Sequence, residues 1–255
     1  MTTAPAQLLP DQLVNMLELV GQSDSVELKL TVPSGSYRAA TRALALDPLE
    51  AQIRQVFFFD TPDLALNRAG VVVRARRIQG RDSDSTVKLR PLTPSDVDPA
   101  FRASQQFNIE VDAMPGGYVC SGSMKHTLPR TAVLASVSGD QPLRKLFSKE
   151  QRAFYTAHAP EGLSLDDLSV LGPILVLKLK VTPKELAQRL VAEVWTYPDG
   201  GRVAELSTKA APNDALKVAI ATRSYLASSG IPLSGEQQTK TKTALEFFAA
   251  ELAAG

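Results

Sequence analysis

Side chains in a β-strand point alternately to the two faces, so a run that alternates polar with apolar residues marks a strand with one face buried. Ser25–Val32, Val71–Arg77, Ser85–Arg90, Gln105–Asp112, Ile174–Val181, Leu190–Tyr197 and Val203–Lys209 read this way, and Val56–Phe59 adds a short aromatic strand. Asp199-Gly200-Gly201 is a tight turn that joins the last two runs into a hairpin. Helical spacing occurs elsewhere. Leu13, Leu17 and Val20 recur within Asp11–Val20 ahead of Gly21, and Leu216, Ile220 and Leu226 define one side of Asn213–Ser228. Ser36–Ala45, Leu49–Gln55, Arg130–Val137, Gln141–Phe147 and Thr239–Ala250 also have helical composition. Pro91–Ala100 reads as a loop, and Met114–Lys149 is interrupted by Gly116, Gly117, Gly122 and Pro129.

The polar positions of the strands are sorted by charge. Arg74 and Arg76 share one face of their strand, Lys88 and Arg90 one face of the next, and Lys178 and Lys180 one face of a later one. Glu27 and Lys29 fall together with Ser25 and Thr31, Glu110 and Asp112 with Gln106 and Asn108, and Glu205 with Ser207 and Lys209. Glu193 falls with Trp195. Alternation alone fits a solvated sheet face as well as a binding face.

Composition narrows the classes. The 255 residues are 44% hydrophobic, with 28 Lys plus Arg against 27 Asp plus Glu, enough for a full core in one domain. A net charge of +1 argues against a general nucleic-acid coat, so anion binding would come from local segregation of charge. The single Cys120 excludes an internal disulfide and a cysteine-cluster metal site, and His126 and His158 read as surface residues in loops. No apolar run reaches the length of a membrane span, and the N-terminus lacks a basic region followed by an apolar one. The expected location is cytoplasmic. Phosphate-loop, Ser-His-Asp and kinase signatures are absent.

The string FFFDTPDLALNRAGVVVRARR resembles the second-to-third strand region of the CYTH family, the triphosphate tunnel metalloenzymes. Asp60, Thr61, Pro62, Leu66, Gly70, Arg74 and Arg76 fall in register on its pattern. Glu27 and Lys29 match the second acid and the lysine of the family's E-x-E-x-K first strand, with Ser25 where the first acid is expected. Asp24 is offset by one residue and points to the other face. Glu110 and Asp112 look like the acids of a later strand, and Lys149, Arg152, Phe154 and Tyr155 resemble a basic strand. In the closing strand Glu205 matches an acid and Ser207 replaces one.

The resemblance implies an α+β protein: an antiparallel β-barrel of about eight strands, the triphosphate tunnel, with surrounding helices. It implies one domain, with a leader and helix over 1–22, the barrel over 23–210 and helices packed outside over 211–255. Triphosphate contacts would come from Lys29, Arg74, Arg76, Lys88, Arg90, Arg152, Lys178 and Lys180. Metal ligands would be Glu27, Glu110, Asp112 and Glu205, holding Mg2+ or Mn2+, and the catalytic set would be Glu27, Lys29 and Glu110. Three activities are compatible: a metal-dependent hydrolase of inorganic or organic triphosphate, a class IV-like adenylate cyclase, and a non-catalytic triphosphate or polyphosphate binder. The implied partner is a triphosphate-bearing small molecule, with nucleic acid and membrane disfavoured and a homodimer left open.

Overall fold

The alternating runs form strands because each can bury one apolar face while its polar residues gather on the other. The structure is a computed structural model and describes residues 10–233 and 240–254. The expected loose leader over Met1–Pro10 lies almost wholly outside these residues. The chain runs α1 (Pro10–Gly21), β1 (Ser25–Val32), α2 (Tyr37–Ala43), β2 (Gln52–Asp60), α3 (Ala65–Arg68), β3 (Val71–Ile78), β4 (Ser83–Leu89) and α4 (Pro99–Arg102). It continues with β5 (Phe107–Met114), β6 (Gly117–Leu128), α5 (Ala132–Val137), α6 (Lys149–His158), β7 (Ser169–Val181), β8 (Leu190–Thr196), β9 (Arg202–Ala210), α7 (Ala215–Ser228) and α8 (Lys240–Ala254).

These strands close into a barrel in the order β1-β5-β6-β4-β3-β2-β7-β8-β9. Two features differ from the expected barrel. Nine strands are present among the described residues rather than about eight, and the sheet is mixed, because β1 pairs with β5 in parallel. The described residues group into two compact units, the first within Met1–Gln52, Ile109–Cys120 and Leu177–Gln238, the second within Ile53–Asn108, Ser121–Val176 and Thr239–Gly255. No described helix is long and apolar enough to cross a membrane.

In the first unit β9 pairs antiparallel with both β1 and β8. Leu30 and Val32 of β1, Leu206 of β9 and Leu190 and Ala192 of β8 bury their side chains against Ala40 and Leu44 near α2 and Leu226 of α7. Each leucine buried in this way contributes roughly 1.5–3 kcal/mol. The apolar face of α7 differs from the expected one: Val218, Thr222 and Leu226 are buried, while Leu216 and Ile220 are exposed. Leu226 lies ten residues after Leu216, about 80° away around a helix, so the three expected residues do not share one stripe.

The expected helix over Leu49–Gln55 is mostly strand, since β2 begins at Gln52. Asp47 accepts from the Leu49 N–H at 2.9 Å and closes a single 3-10 turn over Pro48–Glu50, after which Arg54 and Gln55 pair with Ile78 and Arg77 of β3. Pairing with a neighbouring strand outweighs local helical preference here. β6 runs through the segment expected to be broken, and His126 lies on it rather than in a loop. Gly122 is no break. A Cβ there would lie 2.7 Å from Phe107 Cζ and 2.8 Å from Leu92 Cδ2, so a larger residue would push those side-chain ends away from the strand.

α6 replaces the expected basic strand at Lys149–Tyr155. Ser148 accepts from the Gln151 N–H, and the Gln151 side chain accepts from the Ser148 N–H, both at 3.1 Å, a reciprocal cap that starts the helix. Gln151, Phe154 and Tyr155 are its buried face. The fully buried Gln151 amide also donates to the Ser85 and Met124 carbonyls at 3.2 and 3.1 Å and accepts from Ser85 Oγ at 2.9 Å. His158 ends α6 rather than occupying a loop, with Nδ1 2.7 Å from the Phe154 carbonyl.

Two buried tyrosines give the protein a defined alkaline response. Burial first, then the charges of Asp60 and Asp167, push Tyr155 up to about 12; burial and Asp199 push Tyr197 up to about 12. The folded state therefore holds these protons longer than the unfolded chain, whose tyrosines titrate near 10. The associated stability is complete below about pH 10 and lost as pH rises through 12, on the order of 2–3 kcal/mol per tyrosine. Denaturant melts of the parent and Tyr155→Phe across this range check it: the variant should show a shallower alkaline decline, and equal slopes would contradict the assignment.

Candidate functional site: an acidic cluster and a cationic strand face

Strand register assembles the acids of the first unit. Ser25 pairs with Glu110 and Glu27 with Asp112 across β1 and β5; Glu27 pairs with Lys209, Lys29 with Ser207 and Thr31 with Glu205 across β1 and β9. Glu205 in turn pairs with Glu193 of β8. Directly paired residues point to the same face, so one face of this unit carries all of these side chains. Glu27, Glu110 and Asp112 come together: each offers a carboxylate oxygen, and these oxygens lie within 4.8 Å of one another. Glu205, expected as a fourth ligand, is buried on the same face but is not in this cluster.

Like charges this close need compensation. Lys29 Nζ lies 2.8 Å from Asp112 Oδ1 and 3.2 Å from Glu27 Oε2, and Lys209 pairs with Glu110 Oε2. Asp112 has no exposed surface. Burial raises Glu27, but the charges of Lys29 and Lys209 outweigh it and hold the carboxyl below its ordinary value, against the opposing charge of Asp112. Burial would lower Lys29, but Asp112, Glu27 and Glu205 overcome it and raise the ammonium well above its usual range. Ser25 donates to Glu110 Oε2 at 3.3 Å. Asp24 accepts from the Ile109 N–H at 2.7 Å and so ties β1 to β5 rather than joining the cluster.

The later cations separate. Lys178 donates to Glu193 Oε1 at 3.0 Å, and the Trp195 indole donates to Glu193 Oε2 at 3.3 Å. Lys180 is exposed. The sequence reading missed Glu193 and Lys209 as site groups, although both stood on the right faces, because their partners belong to neighbouring strands.

In the second unit Arg74 pairs with Thr86, Arg76 with Asp84 and Val72 with Lys88 across β3 and β4. Arg74, Arg76 and Lys88 are thus on one face, each half-buried. Arg76 makes a bidentate contact with Asp84, Nε to Oδ1 and Nη2 to Oδ2, both at 2.7 Å. A strand begun two residues before Ser85 would have revealed Asp84, since it alternates with Thr86 and Lys88. Arg90 lies just past β4, its N–H donating to the Gly70 carbonyl at 2.8 Å. Arg152, expected on a strand, is exposed on α6, and its Nη1 donates to the Phe147 carbonyl at 2.8 Å.

The Asp-Thr-Pro turn is a local scaffold for this face. Asp60 Oδ1 accepts from the Thr61 and Leu66 N–H groups at 2.8 and 2.9 Å, Oδ2 accepts from the Asn67 N–H at 3.0 Å, and Thr61 Oγ1 accepts from the Ala65 N–H at 2.8 Å. Together they cap α3, which delivers the chain into β3.

No family model and no curated protein matches the chain. Solved structures do. A Hippeastrum protein described as an adenylyl cyclase with a dominant triphosphatase activity superposes with a TM-score of 0.64 at 16% identity, covering 87% of this chain and 95% of that one. A Bacillus halodurans protein named as an adenylate cyclase superposes with a TM-score of 0.60 at 12% identity, covering 86% and 97%. The closed barrel and this likeness agree with the resemblance of the Asp-Thr-Pro strand region, and the fold of the chain is the CYTH-type barrel.

Proposed function

We propose that the chain binds a triphosphate and hydrolyses it with a divalent ion, Mg2+ or Mn2+. The observation that carries this reading is the cluster of Glu27, Glu110 and Asp112. Three carboxylates with converging oxygens on strands are a hard-ligand set, the kind that Mg2+ and Mn2+ prefer. Lys29 and Lys209 supply counter-charge to those acids. When bound, the ion supplies positive charge that stabilises the transferred phosphoryl group.

The chain's own residues do the rest. Arg74 and Lys88 provide donors for phosphoryl oxygens, Arg as a fork and Lys as a point charge. Lys29 carries a fixed positive charge at neutral pH, and Glu110, held by Ser25 and Lys209, is the acid assigned to orient the attacking water. Lys178, Lys180, Arg90 and Arg152 are proposed as secondary phosphate contacts. The triphosphatase activity described for the Hippeastrum protein is a precedent on this fold.

A non-catalytic triphosphate binder is the second reading, favoured by Ser25 and Ser207 at two positions where the family pattern carries acids. One assay separates the readings: protein with tripolyphosphate or ATP and Mg2+ or Mn2+, scored separately for phosphate, pyrophosphate and cyclic AMP. Phosphate release supports hydrolysis, cyclic AMP with pyrophosphate indicates a cyclase, and binding without product indicates the binder.

Two sets of variants test the site itself. Arg74→Ala is expected to weaken tripolyphosphate binding by about 1.5–3 kcal/mol, the range for hydrogen bonds to charged groups. Unchanged affinity in calorimetry would remove Arg74 from the site. Ser25→Glu combined with Ser207→Glu adds carboxylates to β1 and β9 and should tighten Mn2+ binding roughly tenfold, since ligand charge count tunes affinity. If the double variant binds Mn2+ no better and turns over no faster, the serines do not stand for missing ligands.

A further inference from the structure

On the side of β1 and β9 opposite the acidic cluster, the first unit holds a cavity of about 340 Å3. Strand alternation creates it: Leu28 and Leu30 flank Lys29 in sequence and point the other way, as Leu206 and Thr208 do around Ser207. α7 contributes Ala219, Thr222, Arg223 and Leu226, and the turn after β5 contributes Met114 and Pro115. The lining is mainly apolar, and its polar members are Lys29, Ser207 and Thr208 on the strands and Thr222 and Arg223 on α7. A dry apolar cavity of about 150 Å3 accommodates benzene, so this one has room for roughly a dozen carbon atoms.

The two polar groups on α7 give the cavity a direction. Thr222 is 8% exposed, lines the cavity, and its hydroxyl has no hydrogen-bond partner among the described residues. A buried hydroxyl without a partner is disfavoured, and a ligand oxygen would relieve it. Arg223, the next residue, also lines the cavity and is itself exposed. No carboxylate is among the described lining residues, so the charge at this lining favours an anion.

We infer that this cavity is a second binding site, separate from the acidic cluster, for an amphipathic anion: an unbranched apolar body of about ten carbons with a carboxylate-like head received by Arg223 and Thr222. Apolar walls with a few placed polar groups are the usual constitution of a small-molecule site. The ligand would lie directly behind the strand that carries Glu27 and Lys29.

The test is calorimetric titration of the full chain with decanoate below its micellar concentration, with decyltrimethylammonium as the cation of matching chain length. Saturable single-site decanoate binding, with the cation at least tenfold weaker, is expected. Ala219→Phe, which fills the cavity, should reduce decanoate binding by more than tenfold with an unchanged circular dichroism spectrum. Arg223→Glu, a surface exchange that leaves the core intact, should weaken decanoate at least tenfold and strengthen the cation. Absent decanoate binding, equal binding of anion and cation, or full decanoate affinity in Arg223→Glu would each overturn the inference. These readouts need neither metal nor triphosphate, so failure here leaves the triphosphatase reading standing, and the reverse.

Discussion

Lys29→Met is expected to destabilise the metal-free protein by roughly 3–5 kcal/mol at neutral pH, the usual result of removing one partner from a buried ion pair. Lys29 Nζ touches both Asp112 and Glu27, and Asp112 has no exposed surface through which water could take over. Methionine retains most of the apolar stem, so the loss reports the charge rather than the volume. The pH dependence has a fixed sign. Lys29 is raised in the folded state, so its contribution is complete below about pH 10.4, the unfolded value, and declines only as pH rises through the higher folded value. At low pH the difference from the parent should shrink, because protonated carboxyls no longer need the cation. Mn2+ should restore part of the loss, about 2.7 kcal/mol at a hundredfold excess over its dissociation constant. Guanidinium melts with and without Mn2+ measure both effects. A variant as stable as the parent and indifferent to Mn2+ would mean that the acids are not organised around Lys29.

The same lysine explains why the candidate site was only partly legible in the sequence. Alternation within one strand is local, and Ser25–Val32 was read with its bounds and faces correct for that reason. It could not reveal that β1 lies parallel to β5, which places Glu27 beside Asp112, because that pairing joins segments some 85 residues apart. Glu27, Glu110 and Asp112 were therefore named one by one, while their convergence, and the exclusion of Glu205 from it, depends on tertiary register. Asp84 shows what a strand boundary two residues late conceals: a strand starting at Ser85 omits the carboxylate that holds Arg76. Local signals failed differently at α6. The Ser148-x-x-Gln151 cap was present in the sequence, but the basic residues after it were read as a strand by resemblance. β6 was hidden because Gly122 and its serines carry little β-preference, and the reason for the glycine, contact with Phe107 and Leu92, lies outside the strand.

Asp60→Ala should be the most damaging single change in the second unit, at about 3–5 kcal/mol, although Asp60 touches no proposed substrate group. Its carboxylate receives the N–H groups of Thr61, Leu66 and Asn67, and alanine leaves all three without that acceptor, at roughly 1–3 kcal/mol for each that stays buried. Leu66 is fully buried and cannot turn its N–H to water without leaving the core. Burial raises the Asp60 carboxyl above its ordinary value, and the three N–H groups and the Thr61 hydroxyl only partly oppose this. For a raised carboxyl the folded state holds the proton more firmly, so the titration itself costs stability as pH rises through the unfolded and then the folded value. The N–H groups, not the charge, are then what Asp60 contributes, and Asp60→Asn should separate the two. Its amide oxygen can still accept, so it should lose less than alanine does, by about half. Urea denaturation of parent, Asn and Ala variants gives the order directly, and tripolyphosphate calorimetry on whatever folds shows whether the Arg74 strand is still delivered in place. Equal stability of Ala and Asn variants would mean that Asp60 acts through its charge, and the account of the Asp-Thr-Pro turn as a helix cap would fail.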